Sequence, residues 1–227
     1  MGDFVSKTSR KSNEKNRPNV SVSAKSWRME NSLLDERGRR KYLVATERAA
    51  FLQAAPEVGG KMATFCTVLT LSGARVSEVL ALTPERIDEI ACTINFETLK
   101  RRRRGIVRAV PMPRDLFLYL DSVHKFRSAQ RDPVRATVRL WTWSRTTAWR
   151  RVQQIMGLTR NPNHLANPRS LRHAFGADAA LRQIPLTLIK RWMGHARLET
   201  TEIYTSLTGE QERELAKLTW APLNRLQ

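Results

Sequence analysis

Two stretches of this sequence bring together side chains that can hold a phosphoryl group and move a proton beside it. The first is Ser72-Gly73-Ala74-Arg75-Val76-Ser77-Glu78-Val79-Leu80-Ala81-Leu82; the second runs from Leu171-Arg172-His173 through Trp192-Met193-Gly194-His195 to Thr200-Thr201-Glu202-Ile203-Tyr204. A guanidinium is planar, permanently charged and forked, which suits the negative charge that builds on non-bridging oxygens when a phosphodiester is attacked. An imidazole exchanges a proton near neutral pH. A phenol, with an ordinary pKa near ~10, becomes a nucleophile only beside cations or a base. Each residue alone has a plainer reading: an arginine in a surface ion pair, a histidine or tyrosine packed behind an apolar helix.

The charge balance says what such a site would face. Lys and Arg number 40 against 21 Asp and Glu, a formal charge of +19, which favours a polyanionic partner, with nucleic acid first. A membrane surface is the weaker partner, because no apolar run approaches the ~20 residues of a span. Cys66 and Cys92 make neither a disulfide framework nor the paired spacing of a zinc site, and read as small buried apolar residues. No metal or other cofactor is expected. The start, Met1-Gly2-Asp3-Phe4, continues polar and basic without the apolar core of a secretory signal, so a cytoplasmic location is expected.

The elements that must position these residues read as one domain, mainly α with a small antiparallel β-hairpin or sheet. Its 227 residues, 41% of them hydrophobic, suit one core plus a tail. Residues 1–41, with eleven Lys or Arg against five Asp or Glu, read as a flexible basic arm, and residues 42–227 as the domain. Thr46 is a candidate cap for a helix over 46–55 that Pro56 interrupts; Met62, Phe65, Cys66 and Leu69 mark the buried stripe of a helix ending near Ser72-Gly73. Thr83-Pro84-Glu85 opens another short helix. Ile90, Cys92, Ile94 and Phe96 alternate as a strand, and Ile106 to Met112 follow after a basic block, so Lys100, Arg101, Arg102, Arg103 and Arg104 sit at a hairpin tip with Gly105 at the turn. Beyond Pro113, Leu116, Leu120 and Val123 mark a helix, and a later helical segment carries Arg145, Arg150 and Arg151 among tryptophans that read as core. Four helices complete the chain: Ser170 to Arg182, Pro185 to Met193, Leu198 to Leu207 and Glu210 to Leu218.

Taken together, the two stretches resemble the tyrosine recombinase, or phage integrase, family over roughly residues 42–220. The resemblance rests on a first Arg in a glycine-preceded helix turn, a Leu-Arg-His box, a Gly-His pair and a Tyr nine residues after that His, in this order. It implies a site-specific recombinase or integrase that cleaves and rejoins double-stranded DNA through a 3′-phosphotyrosine. By the same resemblance Arg75 and Arg172 hold the scissile phosphate, Tyr204 attacks, His195 transfers a proton or bonds the phosphate, and a hairpin Lys protonates the leaving oxygen. Lys100 is the only Lys in that hairpin, although counting back from Pro111 puts Arg103 where a shorter family hairpin carries its Lys. Arg101 to Arg104 are then DNA-binding.

Two departures from the family pattern bear on activity. Arg169 stands three residues before Arg172, where the box usually begins with His; it can donate to phosphate but cannot act as a base. His173 matches the box and is expected to brace the site. Only a basic, poorly apolar stretch of 41 residues precedes the similarity, where family members commonly carry a separate helical domain that clamps the DNA. Two rival functions follow: a catalytically weak DNA-binding protein that keeps the fold, and an enzyme like a type IB topoisomerase. The amphipathic stretch with Leu215, Leu218 and Trp220 is expected to pack on its own core or to exchange with a neighbouring subunit on DNA.

Overall fold

The computed structural model describes residues 32–98, 105–205 and 216–217. The first helix, α1 (Ala45–Ala54), begins one residue earlier than Thr46 would cap it. Glu47 supplies the cap instead, its carboxylate accepting the Val44 N–H at 2.9 Å while also pairing with Arg40. Pro56 then turns the chain into a 3-10 segment, Ala55–Val58, as proline's missing N–H requires. Helix α2 (Gly60–Ser72) carries the expected stripe, with Met62, Phe65, Cys66 and Leu69 buried, but Thr64 and Thr70 are buried too. It is the central helix of the fold rather than an amphipathic surface one. A short helix, α3 (Val76–Leu80), follows at once.

The sheet has three antiparallel strands in the order β1 (Ile87–Asp88), β2 (Thr93–Glu97), β3 (Val107–Pro111). Thr93 pairs with Pro111 and Glu97 with Val107, so Ile94, Phe96, Arg108 and Val110 fall on the inward face. The strand starts later than its alternation suggests: Ile90 is 96% exposed, and Cys92 is half-buried in a left-handed conformation in the turn before β2. Gly105 lies at the end of the hairpin tip with φ +83°. Lys100, Arg101, Arg102, Arg103 and Arg104 lie outside the described residues.

Among the described residues seven more α-helices follow: α4 (Arg114–His124), α5 (Phe126–Gln130), α6 (Pro133–Ala136), α7 (Arg145–Gly157), α8 (Pro168–Leu181), α9 (Leu186–Met193) and α10 (Glu199–Glu202). Ser144 caps α7 by accepting the Thr147 N–H, and Asn167 caps α8 by accepting the Ser170 N–H at 3.1 Å, with Pro168 in the first helical position. The helix expected over Leu198 to Leu207 is regular for four residues only. After Glu202 the chain tightens into i→i−3 bonds, Tyr204 N–H to Thr201 and Thr205 N–H to Glu202. The helix expected over Glu210 to Leu218 lies outside the described residues except for Ala216 and Lys217.

Two apolar clusters hold these elements. The larger gathers Phe51, Phe65, Phe96, Phe117, Phe126 and Trp141; the smaller gathers Leu33, Ala177, Ile189, Met193 and Tyr204. Leu33 corrects the boundary of the arm. It is 3% exposed inside the second cluster, and a bridge between Leu34 and Arg40 folds residues 32–41 into a strap packed on the domain, so the expected flexible arm does not extend to residue 41. The tryptophans divide: Trp141 is core and donates its indole N–H to Lys61, whereas Trp149 is 42% exposed on α7.

Candidate functional site

Arg75 begins as a helix-end residue. It is the cap of α3, and Glu78, one turn on, accepts its backbone N–H at 2.9 Å and its guanidinium at 3.0 Å. Glu78 is itself almost fully enclosed and also meets Arg108 at 2.6 Å. Burial alone would raise its carboxyl, but Arg108, the Arg75 N–H and the Arg75 charge hold it below the usual range. The carboxylate therefore stays charged and clamps two arginines. The guanidinium of Arg75 also reaches the Gly194 carbonyl at 3.4 Å, across 119 residues of sequence.

Arg172 comes from the middle of α8 and donates to the Gly73 carbonyl at the end of α2. Burial, with the charge of Arg75 adding to it, pulls its guanidinium down to about 10, so it remains a cation at neutral pH. Arg75, Arg169 and Arg172 line one open cleft of about 450 Å³, with Arg145 and Trp149 of α7 on its far wall. A second basic groove adjoins it through Asn167 and Arg169, and is lined by Arg39, Arg40 and Lys41 of the strap together with His164 and His173.

Tyr204 lies behind this cleft. Its ring is 1% exposed and packs on α8 where Gly176 leaves room: a Cβ there would sit 2.3 Å from the phenol ring. The hydroxyl lies 3.3 Å from His173 Nδ1. Burial pushes the phenol up to about 12, against the pull of Arg172, Arg169 and Arg75. That pull comes from three of the four arginines that line the cleft, so the nucleophile candidate is covered yet within their field. His195 stacks on the Tyr204 ring, centroids 6.4 Å apart and 9° from parallel, and its Nδ1 meets Thr201 Oγ1 at 2.9 Å. His173, between Arg169 and Tyr204, is pushed down to about 3 by burial and by the cations Arg169, Arg172 and Lys41.

The structure thus brings together Arg75, Arg169, Arg172, His173, His195 and Tyr204 from four segments. Lys100 and the Arg101 to Arg104 block lie outside the described residues, so their placement is not part of this geometry. Sequence reasoning missed Arg108. It sits opposite Phe96 on the inward face of β3, donates to the Trp192 carbonyl at 2.8 Å, and stacks over the Phe96 ring. Its signal was present as a charged residue in an alternating strand at a position that must face inward. Arg108 also explains Gly194, which closes α9 at φ +67° and whose added Cβ would lie 2.9 Å from the Arg108 guanidinium. Arg145 and Trp149 were read as part of a helical segment with a core tryptophan, and nothing in the sequence showed that both line the cleft.

Comparison with known proteins gives the family and the fold. The phage integrase family model matches residues 41–211. The tyrosine recombinase XerA of Pyrococcus furiosus is 30% identical over 152 residues, 63% of this chain and 49% of that protein. The tyrosine recombinase XerD of Yersinia pestis is 26% identical over 163 residues, 65% of this chain and 50% of that one. The chain therefore spans about half the length of these curated relatives. Among solved structures, the XerA recombinase crystal structure superposes with a TM-score of 0.62 at 24% identity, covering 78% of this chain and 64% of that one. The catalytic domain of bacteriophage HP1 integrase superposes at 0.55 and 19% identity, covering 79% of this chain and 95% of that domain. At these identities the superpositions establish the fold, mainly helical with a small antiparallel sheet, as the alternation and stripes led one to expect.

Proposed function

The chain belongs to the phage integrase family, and on that premise we propose that it is a site-specific recombinase that cleaves and rejoins double-stranded DNA through Tyr204. The observation that carries the reading is the convergence of three arginines on one cleft with a tyrosine held in their field. A phosphodiester seated in the cleft has its non-bridging oxygens gripped by Arg75 and Arg172, with Arg169 beside them. The Tyr204 oxygen attacks phosphorus as its proton passes to water in the cleft; the new O–P bond forms while the bond to the 5′ oxygen breaks, and that oxygen takes up a proton. Lys100 is the donor proposed for it, since a primary amine gives up a proton more readily than a guanidinium. The 3′-phosphotyrosine keeps the ester bond, so rejoining needs no nucleotide. Because the resting hydroxyl is covered, the turn that follows α10 must shift when DNA binds.

A nicked duplex library of randomised sequence tests this. A strand cut near the nick loses its short end and cannot be rejoined, so an active enzyme accumulates as a denaturant-stable protein–DNA adduct, and Tyr204→Phe forms none. Sequencing the trapped ends gives the target. Binding without any adduct favours the second reading, a DNA-binding protein that keeps the fold; the burial of Tyr204 and the Arg at 169 are the observations on its side. Self-association on DNA through the segment with Leu215, Leu218 and Trp220 belongs to the same proposal. Truncation after Thr208 then leaves DNA binding and removes assembly on paired sites, and unchanged assembly refutes that part.

A further inference from the structure

We infer that Arg169 is a positioning residue for the nucleophile: it fixes His173 as the Nδ1–H tautomer, so that His173 donates a hydrogen bond to the Tyr204 phenolic oxygen. The inference rests on the proposed function for its catalytic consequence, and on geometry alone for the tautomer.

The geometry is a relay of three side chains. Arg169 and His173 are one turn apart on α8, and the Arg169 Nε–H points at His173 Nε2 across 3.2 Å. A guanidinium has donors and no acceptor, so Nε2 must be the unprotonated nitrogen of the ring. The ring is neutral, because it is buried and faces Arg169 and Arg172 on its own helix, Lys41 on the strap and the phenol of Tyr204. A neutral imidazole that accepts at Nε2 carries its proton on Nδ1. Nδ1 is the atom 3.3 Å from the Tyr204 hydroxyl oxygen.

Two consequences follow for Tyr204. Its oxygen accepts from His173, so its own O–H is left directed elsewhere, towards an acceptor that is not this imidazole. His173 therefore cannot serve as the base, and its hydrogen bond becomes stronger as the phenol turns into a phenolate. The relay also gives the arginine at 169 a purpose that a histidine would not meet in the same way. A histidine at that position is able to donate or accept, leaving the tautomer of residue 173 open; an arginine only donates.

Long-range ¹H–¹⁵N correlation spectra of the full chain labelled at histidine read the tautomer directly, with His173→Gln assigning its signals among four histidines. His173 is expected as Nδ1–H in the unmodified protein and in Arg169→Lys, whose ammonium only donates, and as a mixture or as Nε2–H in Arg169→Gln, whose amide can also accept, and in Arg169→Met. Nε2–H in the unmodified protein overturns the inference. In the adduct assay at saturating DNA, where binding does not limit the rate, Arg169→Lys is expected to cleave about tenfold faster than Arg169→Gln. Equal rates for the two overturn the catalytic part. Should the unmodified protein show the Nδ1–H form but never an adduct, the proposed function fails and the relay stands as architecture.

Discussion

At the scale of single residues, charge is what the site has arranged with most care. Glu78 is buried between Arg75 and Arg108, and its carboxylate offsets the charge of both guanidiniums. Breaking a buried pair leaves an uncompensated charge, which costs more than the pair contributes. Arg108→Met is therefore expected to destabilise the fold by about 3 kcal/mol, read as a shifted denaturant midpoint, and to loosen the Gly194-His195 turn that Arg108 grips. A midpoint within experimental scatter of the unmodified protein would show that Glu78 is satisfied by Arg75 alone. The residues of the site itself were legible because their order and spacing are a compact pattern: Arg75, Arg172, His195 and Tyr204 all come to one place. For Arg108 only the inward strand position was legible; its partners, Glu78 and the Trp192 carbonyl, are 30 and 84 residues away and were not.

At the scale of elements, local signals worked where a helix has one dry face and failed where tertiary contacts set the ends. The stripe on α2 and the Gly-His turn after α9 follow from period and from glycine chemistry. The start of β2 did not, because Ile90 and Cys92 continue the alternation by composition while the chain is turning. The helix after Leu198 was read too long because its residues suit a helix, whereas packing of Tyr204 on Gly176 and the Thr201 bond to His195 tighten the chain instead. The end of α4 carries a pH dependence. His124 bonds Thr64 of α2 and lies edge-on to Trp141, and burial, with Lys61 nearby, pushes it down to about 4. A base whose folded pKa is lowered contributes stability that is present above its unfolded value of ~6.5 and lost as pH falls towards 4. Acidification from pH ~7 to ~5 is expected to cost about 1 kcal/mol through this group after allowance for solvent screening. His124→Gln should remove that part of the acid loss in urea titrations at the two pH values; an unchanged difference would assign the loss elsewhere.

For the whole molecule, the formal charge of +19 includes a run of basic residues along the candidate site. Arg75, Arg145, Arg169 and Arg172 line one cleft, and Arg39, Arg40 and Lys41 line the groove beside it, so a continuous basic track runs from the strap to the site. In the strap, Leu33 and Leu34 are two adjacent apolar residues in a basic stretch, too few for periodicity to register, yet Leu33 packs in the cluster that holds Tyr204. Binding driven by such a track releases counterions, and about four neutralised phosphates give a loss of ~100-fold in affinity between ~50 and ~200 mM salt. A change below about threefold in fluorescence anisotropy titrations would contradict a phosphate-tracking surface.

The most direct measurement is to locate the bond itself. After a nicked duplex has been trapped on the protein, nuclease trimming and trypsin leave a nucleotide on one peptide, and Leu198 to Arg213 is the tryptic segment that holds Tyr204 as its single tyrosine. Fragmentation is expected to place the nucleotide mass on Tyr204. The same mass on a serine or threonine, or on a peptide outside this segment, would contradict attack by that phenol.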